Sequence, residues 1–192
     1  MKAEKASMFV VLLSLFLFVS TSSRAVYGSG TSGAILQVTP SYYDVQNASL
    51  PFSLNITISN VTDLYGWQAR VYFENSVINF VGATEGSFLS SAGVTTWVSP
   101  IIDNGYNATH GTVLLACSLE YMVPGVNGAG TLATLTFQSV GGGNATIHID
   151  PVDTKLVDST TPYHQPIAYT PIDGVASVSV FHDIAVTNVL PW

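Results

Sequence analysis

The chain has 192 residues, 47% of them apolar and only 9% charged, with a formal net charge of −7. Five residues in all are Lys or Arg, which excludes the clustered cations that nucleic acid binding needs and disfavours an anionic membrane surface. With a single cysteine, Cys117, no intrachain disulfide can form.

Taken from the start, Lys2 and Lys5 precede a 12-residue apolar run, Met8 to Val19, and Ser23-Arg24-Ala25 suits cleavage after Ala25. The run falls short of the roughly 20 residues a membrane span requires, so residues 1–25 read as a secretory signal peptide. Its removal leaves 167 residues, one domain's worth, with Arg70 and Lys155 as the remaining cations against 11 acids, a net charge of −9. Residues 26–33, ending in GSGTSG, read as a flexible leader.

Ala34 to Thr39 is the first expected strand, closed by Pro40. Pro51 to Ser59 (PFSLNITIS) alternates apolar and polar residues, the pattern of a strand with one solvated face. Leu64 to Leu89 (LYGWQARVYFENSVINFVGATEGSFL) is the centre of the chain. Tyr65, Trp67, Ala69, Val71 and Phe73 fall on one parity, Gly66, Gln68, Arg70, Tyr72 and Glu74 on the other, and a second extended run follows Asn75-Ser76. Further strands are expected over Val94 to Ile102, Thr112 to Glu120 and Leu132 to Val140, the last returning through Gly141 to Asn144 as a hairpin into Ala145 to Asp150. Residues 151–171 hold four prolines and read as loop with a short strand, and Val175 to Phe181 closes the domain. About nine strands with turn signals every ten residues or so, and no window of helical period, predict an all-β, two-sheet antiparallel sandwich of jelly-roll type over residues 34–181. Residues 182–192 (HDIAVTNVLPW) read as a linker or the start of a further extracellular domain.

Five N-x-[ST] sequons, at Asn47, Asn55, Asn60, Asn107 and Asn144, are candidate glycosylation sites. Catalytic arrangements fail on inspection: there is no G-x-S-x-G elbow, no phosphate loop with a lysine and no C-x-x-C pair. His110, His148, His164 and His182 lack metal-ligand spacing. The glutamates of the domain, Glu74, Glu85 and Glu120, are far apart in sequence, and Asp150, Asp153, Asp158 and the Asp103-Asn104 turn lack the pattern of a calcium loop. No cofactor, no metal and no enzymatic activity are expected. Cys117 shares parity with Val113, Leu115 and Leu119 and reads as a buried thiol. Trp67 reads as core, whereas Trp97, Tyr106 and Tyr121 lie near loops, where exposed rings would stack on sugars.

The strand pair of 64–89, GTVLLACSL (111–119), GAGTLATLTFQ (128–138) and DGVASVSV (173–180) resemble, in that order, the segments of cohesin modules, jelly-roll sandwiches that share a fold with certain carbohydrate-binding modules. The chain is most similar to divergent cohesin-like modules of archaeal surface proteins, where an ending like HDIAVTNV opens an immunoglobulin-like adhesion domain. The resemblance implies a non-catalytic, secreted or cell-surface module that binds a protein partner, of dockerin type or another, through one sheet face. The strand from Leu64 lies on that face, which makes outward Gln68, Arg70 and Tyr72 the candidate contacts, with Ser118 and Glu120 from the neighbouring strand. The chain has no D-x-N-x-D-G repeats, so a dockerin partner would be a separate molecule. The alternatives are binding of a surface polysaccharide and a structural tile in a surface layer.

Overall fold

The computed structural model describes residues 33–47 and 50–179. The expected signal peptide, the leader apart from Gly33, and the segment 182–192 lie outside the described residues.

The described residues form twelve strands in two packed sheets: β1 (Ala34–Thr39), β2 (Tyr42–Val45), β3 (Phe52–Leu64), β4 (Gly66–Glu74), β5 (Ile78–Glu85), β6 (Thr95–Asp103), β7 (His110–Leu119), β8 (Val126–Ser139), β9 (Gly143–Ile149), β10 (Lys155–Val157), β11 (Tyr169–Ile172) and β12 (Gly174–Val178). One sheet has five strands in the order β11-β1-β3-β8-β5. The other has seven, in the order β2-β12-β9-β4-β7-β6, with β10 beside β4. This is the all-β sandwich expected, with twelve strands in place of about nine. The unforeseen β2 and the short β10 and β11 lie near prolines, whose turn signals hide a brief extended pairing. Pairing is mostly antiparallel, but β1 runs parallel to β11 and β2 parallel to β12. The reason is that β1–β2 and β11–β12 are each a nearly continuous strand that steps from the first sheet to the second.

Alternation sets the two faces. On β3, Phe52, Leu54, Ile56 and Ile58 are buried while Ser53 is exposed and Asn55 and Thr57 are half-buried. On β4 the inner residues are Trp67, Ala69, Val71 and Phe73, with Gln68, Arg70, Tyr72 and Glu74 outward. Phe137 is the centre of the core: its ring lies 5.8 Å from Phe52, 5.5 Å from Phe73 and 5.5 Å from Phe80, so aromatic contacts join the two sheets. Burying each such side chain contributes about 1.5–3 kcal/mol. Cys117 is buried among these residues, as its parity predicts.

The central stretch is divided between the sheets, since β4 belongs to the seven-stranded sheet and β5 to the five-stranded one. Three expectations are corrected. First, β8 and β9 are not a hairpin: β8 pairs with β3 and β5, and β9 with β12 and β4. The glycines between them make a sandwich corner, where a Cβ on Gly141 would lie 2.3 Å from the Ser76 carbonyl and Gly143 has φ of +127°. Ser87–Ser90 forms a single helical turn, α1, that buries Phe88 and Leu89; four residues are too few to show a helical period. Finally, Trp97 is half-buried and faces inward at the level of Cys117, its ring 5.9 Å from that of Trp67, so it is no sugar platform.

Candidate protein-binding face

Register fixes which side chains share the outer face of the seven-stranded sheet. Across β4 and β7, Glu74 is level with His110, Tyr72 with Thr112, Arg70 with Leu114, Gln68 with Ala116 and Gly66 with Ser118. Across β7 and β6, Leu114 is level with Ile101, Ala116 with Val98 and Ser118 with Thr96. Directly opposed residues stand on the same side of a sheet, so Val98, Ile101, Leu114 and Ala116 form one apolar patch in its middle. Ile101 is 64% exposed, and Val98, Leu114 and Ala116 are half-buried.

Polar groups border the patch on three sides. Toward the β9–β10 loop, the Gln68 amide donates to the Asp153 carbonyl at 2.8 Å, Arg70 Nε pairs with Asp153 Oδ2 at 2.8 Å, and the Arg70 N–H donates to Thr154 Oγ1 at 3.1 Å. Lys155 Nζ donates to the Val152 carbonyl at 2.6 Å. Both cations of the described residues thus hold the same loop against β4. At one end, Ser118 and Thr96 sit side by side, and Thr96 Oγ1 donates to Glu120 Oε1 at 2.6 Å. At the other end lies an open pocket of about 440 Å³, whose lining includes Tyr72, Glu74, Tyr106 and His148. The rings of Tyr72 and Tyr106 meet at 5.5 Å and 49°. Desolvation, then the hydrogen bond with the Tyr106 phenol, raises the Tyr72 phenol above its ordinary pKa.

All five expected contact residues therefore lie on or beside one face, but in different roles. Tyr72 is at the pocket, Gln68 and Arg70 are engaged with the Asp153 loop, and Ser118 and Glu120 mark the far end. What the sequence reading missed is the patch between them. Its signal was the run TVLLACSLE, apolar on both parities, because Leu114 and Ala116 face outward while Val113, Leu115 and Cys117 face in.

Glu120 follows β7 and Glu74 is level with its first residue; ten residues at about 3.3 Å each separate them by about 30 Å, beyond the roughly 5–9.5 Å of a glycosidase pair. Glu85 accepts from Thr95 Oγ1 at 2.7 Å and from Cys117 Sγ at 3.5 Å. Burial, followed by the charge of Glu85, drives the Cys117 thiol far above its ordinary pKa and keeps it protonated. His164 stacks on Tyr65 at 4.6 Å and donates from Nδ1 to the Asp158 carbonyl at 2.6 Å. His182 lies outside the described residues. Asp150 accepts from the Val152 N–H, and Asp103 from the Gly105 N–H, as turn-forming residues do. Among the described residues no group of three or more His, Cys, Asp or Glu is placed to hold a metal ion.

All five sequon asparagines are exposed or half-buried. Asn55 is on the outer face of the five-stranded sheet, where it accepts from Thr134 Oγ1 at 2.8 Å, and Asn60 follows on the same strand. Asn107 and Asn144 lie toward the pocket end of the seven-stranded sheet. The end with Ser118 and Glu120 carries none.

No protein-family model matches the chain, and no curated protein matches it by sequence. Solved structures do match it. The seventh ScaB type I cohesin from Pseudobacteroides cellulosolvens aligns with a TM-score of 0.60 at 9% identity, over 81% of this chain and 98% of that one. The structure of the sixth cohesin from scaffoldin B of Acetivibrio cellulolyticus, in complex with a Cel5 dockerin mutant, gives 0.59 at 16% identity, over 77% of this chain and 99% of that one. A non-cellulosomal cohesin from the hyperthermophilic archaeon Archaeoglobus fulgidus gives 0.54 at 11% identity, over 77% and 92%. Distant in sequence and matched over nearly their whole length, these structures show that the domain has the cohesin fold.

Proposed function

We propose that the chain is a secreted, non-catalytic interaction module that docks a protein partner of dockerin type on the outer face of its seven-stranded sheet. The observation that carries this reading is the apolar patch of Val98, Ile101, Leu114 and Ala116, level across two strands and ringed by Gln68, Arg70, Tyr72, Ser118 and Glu120. An apolar centre inside a polar rim is the anatomy of a protein interface. Support also comes from the fold, since the scaffoldin B cohesin that shares it is in complex with a dockerin, and from the signal-peptide pattern of residues 1–25.

The test is affinity capture, first with a panel of recombinant dockerin modules and then with the secreted fraction of the source organism, using the 192-residue chain. Leu114→Asp with Ile101→Asp should abolish capture, whereas Thr57→Asp on the opposite sheet should leave it intact. Equal capture by the Leu114 and Ile101 double variant would refute the assignment of the face.

A further inference from the structure

The pocket at the end of this face has a chemistry of its own. Its volume, about 440 Å³, is within the range of small-ligand sites. Two amphipathic rings form one side, Tyr72 and the 51% exposed Tyr106. The polar groups of the lining are held by bonds to their own neighbours. His148 Nδ1 lies 2.7 Å from Asp173 Oδ2; a carboxylate oxygen accepts, so Nδ1 donates to it and Nε2 is left for other partners. Thr109 Oγ1 donates to Asn107 Oδ1 at 3.1 Å, so it accepts from His110 Nδ1 at 2.7 Å. Asn107 Oδ1 further accepts from the Thr109 and His110 N–H groups at 2.9 and 2.8 Å, so the side chain is fixed by its oxygen and keeps its NH₂ for other partners. Glu74 receives the Thr146 N–H on Oε2.

We propose that this pocket binds a neutral mono- or disaccharide unit, with its C–H face on the tyrosine rings and its hydroxyls on His148, Glu74 and Asn107. A sugar presents both an apolar face and closely spaced hydroxyls that donate and accept, which matches a wall holding rings, acceptors and an amide donor. The lining contains no Lys or Arg but does hold the Glu74 carboxylate, which disfavours a phosphate or sulfate group. The site goes beyond the docking of a protein partner: it shares Tyr72 with that face, but Tyr106 and His148 stand outside the apolar patch.

The test uses the 192-residue chain from a host that adds no N-glycans, because Asn107 lies in a sequon at the pocket. Neutral hexoses, N-acetylhexosamines and their disaccharides are titrated by ¹H–¹⁵N NMR at up to tens of millimolar. At least one should shift the amides around Tyr72, Tyr106 and His148, and Tyr106→Ala and His148→Ala should each weaken it by about tenfold. Leu114→Asp should leave sugar binding unchanged while removing partner capture, so that failure of either site is read separately. No shift with any sugar would overturn the proposal. So would shifts insensitive to both pocket substitutions, or a response to choline or lysine amide in place of sugar, which would make the pocket a cation site.

Discussion

The two outer faces of the sandwich are built on the same alternating strands yet are finished differently. On the five-stranded sheet the outward residues bond to one another across strands: Thr39 with Thr57 at 2.8 Å, Ser53 with Thr136 at 3.3 Å, and Thr134 with Asn55 at 2.8 Å. Hydroxyls and amides spend their capacity within the sheet or on water, and a sequon stands among them. On the seven-stranded sheet the corresponding positions hold Leu114, Ala116, Val98 and Ile101, which have no such partners and remain in contact with solvent. An apolar patch in water is a standing cost that docking relieves. A satisfied polar face gains little from docking. The comparison therefore selects the face, not merely a residue.

Substitutions test that contrast in order of size. Trp67→Ala removes the core that both faces share and should cost about 3–5 kcal/mol in urea denaturation, with loss of partner capture as a consequence of unfolding. Leu114→Asp acts on one face alone: affinity for the captured partner should fall by about 30-fold or more in biolayer interferometry, with a melting temperature close to that of the parent. Arg70→Ala opens the pairing with Asp153, whose side chain is 51% exposed against 24% for Arg70. The cost should be only about 0.5–1 kcal/mol, and a double-mutant cycle with Asp153→Ala isolates the pair. Thr134→Val, on the opposite face, should change stability by less than about 0.5 kcal/mol and leave partner affinity unaltered.

Asp158, in the loop that follows β10, belongs to neither face and gives a pH control. Desolvation acts against its ionisation, but hydrogen bonds from Gln165 and Thr160, helped by His164, hold its pKa below the ordinary value. A depressed folded-state pKa stabilises the fold above the unfolded value near 3.8, and that stabilisation is lost as pH falls through the folded value. Asp158→Asn should accordingly show a smaller drop in melting temperature than the parent between neutral pH and about pH 3, with no change in partner capture at pH 7.

Much of the fold was legible in the residues. Period-2 alternation in PFSLNITIS and in GWQARVYFE assigned the buried side correctly, because a strand sends successive side chains to opposite faces whatever lies beyond it. The short strand β2 beside Pro40, and a helix of one turn, escaped because neither is long enough to show a period. The corner at Gly141 to Gly143 was misread as a hairpin since glycine-rich turns look alike in sequence whether they join neighbours in one sheet or cross to the other.

For the site the division is sharper. The sequence by itself determined that Gln68, Arg70 and Tyr72 point away from the core, that Cys117 points into it, and that nothing basic enough for nucleic acid is present, because parity and composition are local properties. Only the tertiary structure decided which strands lie side by side, and so that Leu114 meets Ile101, that Arg70 is engaged by an aspartate 83 residues away, and that Tyr72 shares a pocket with Tyr106 and His148. A binding face is a set of neighbours across strands, and neighbours across strands are fixed by register, which no single strand encodes.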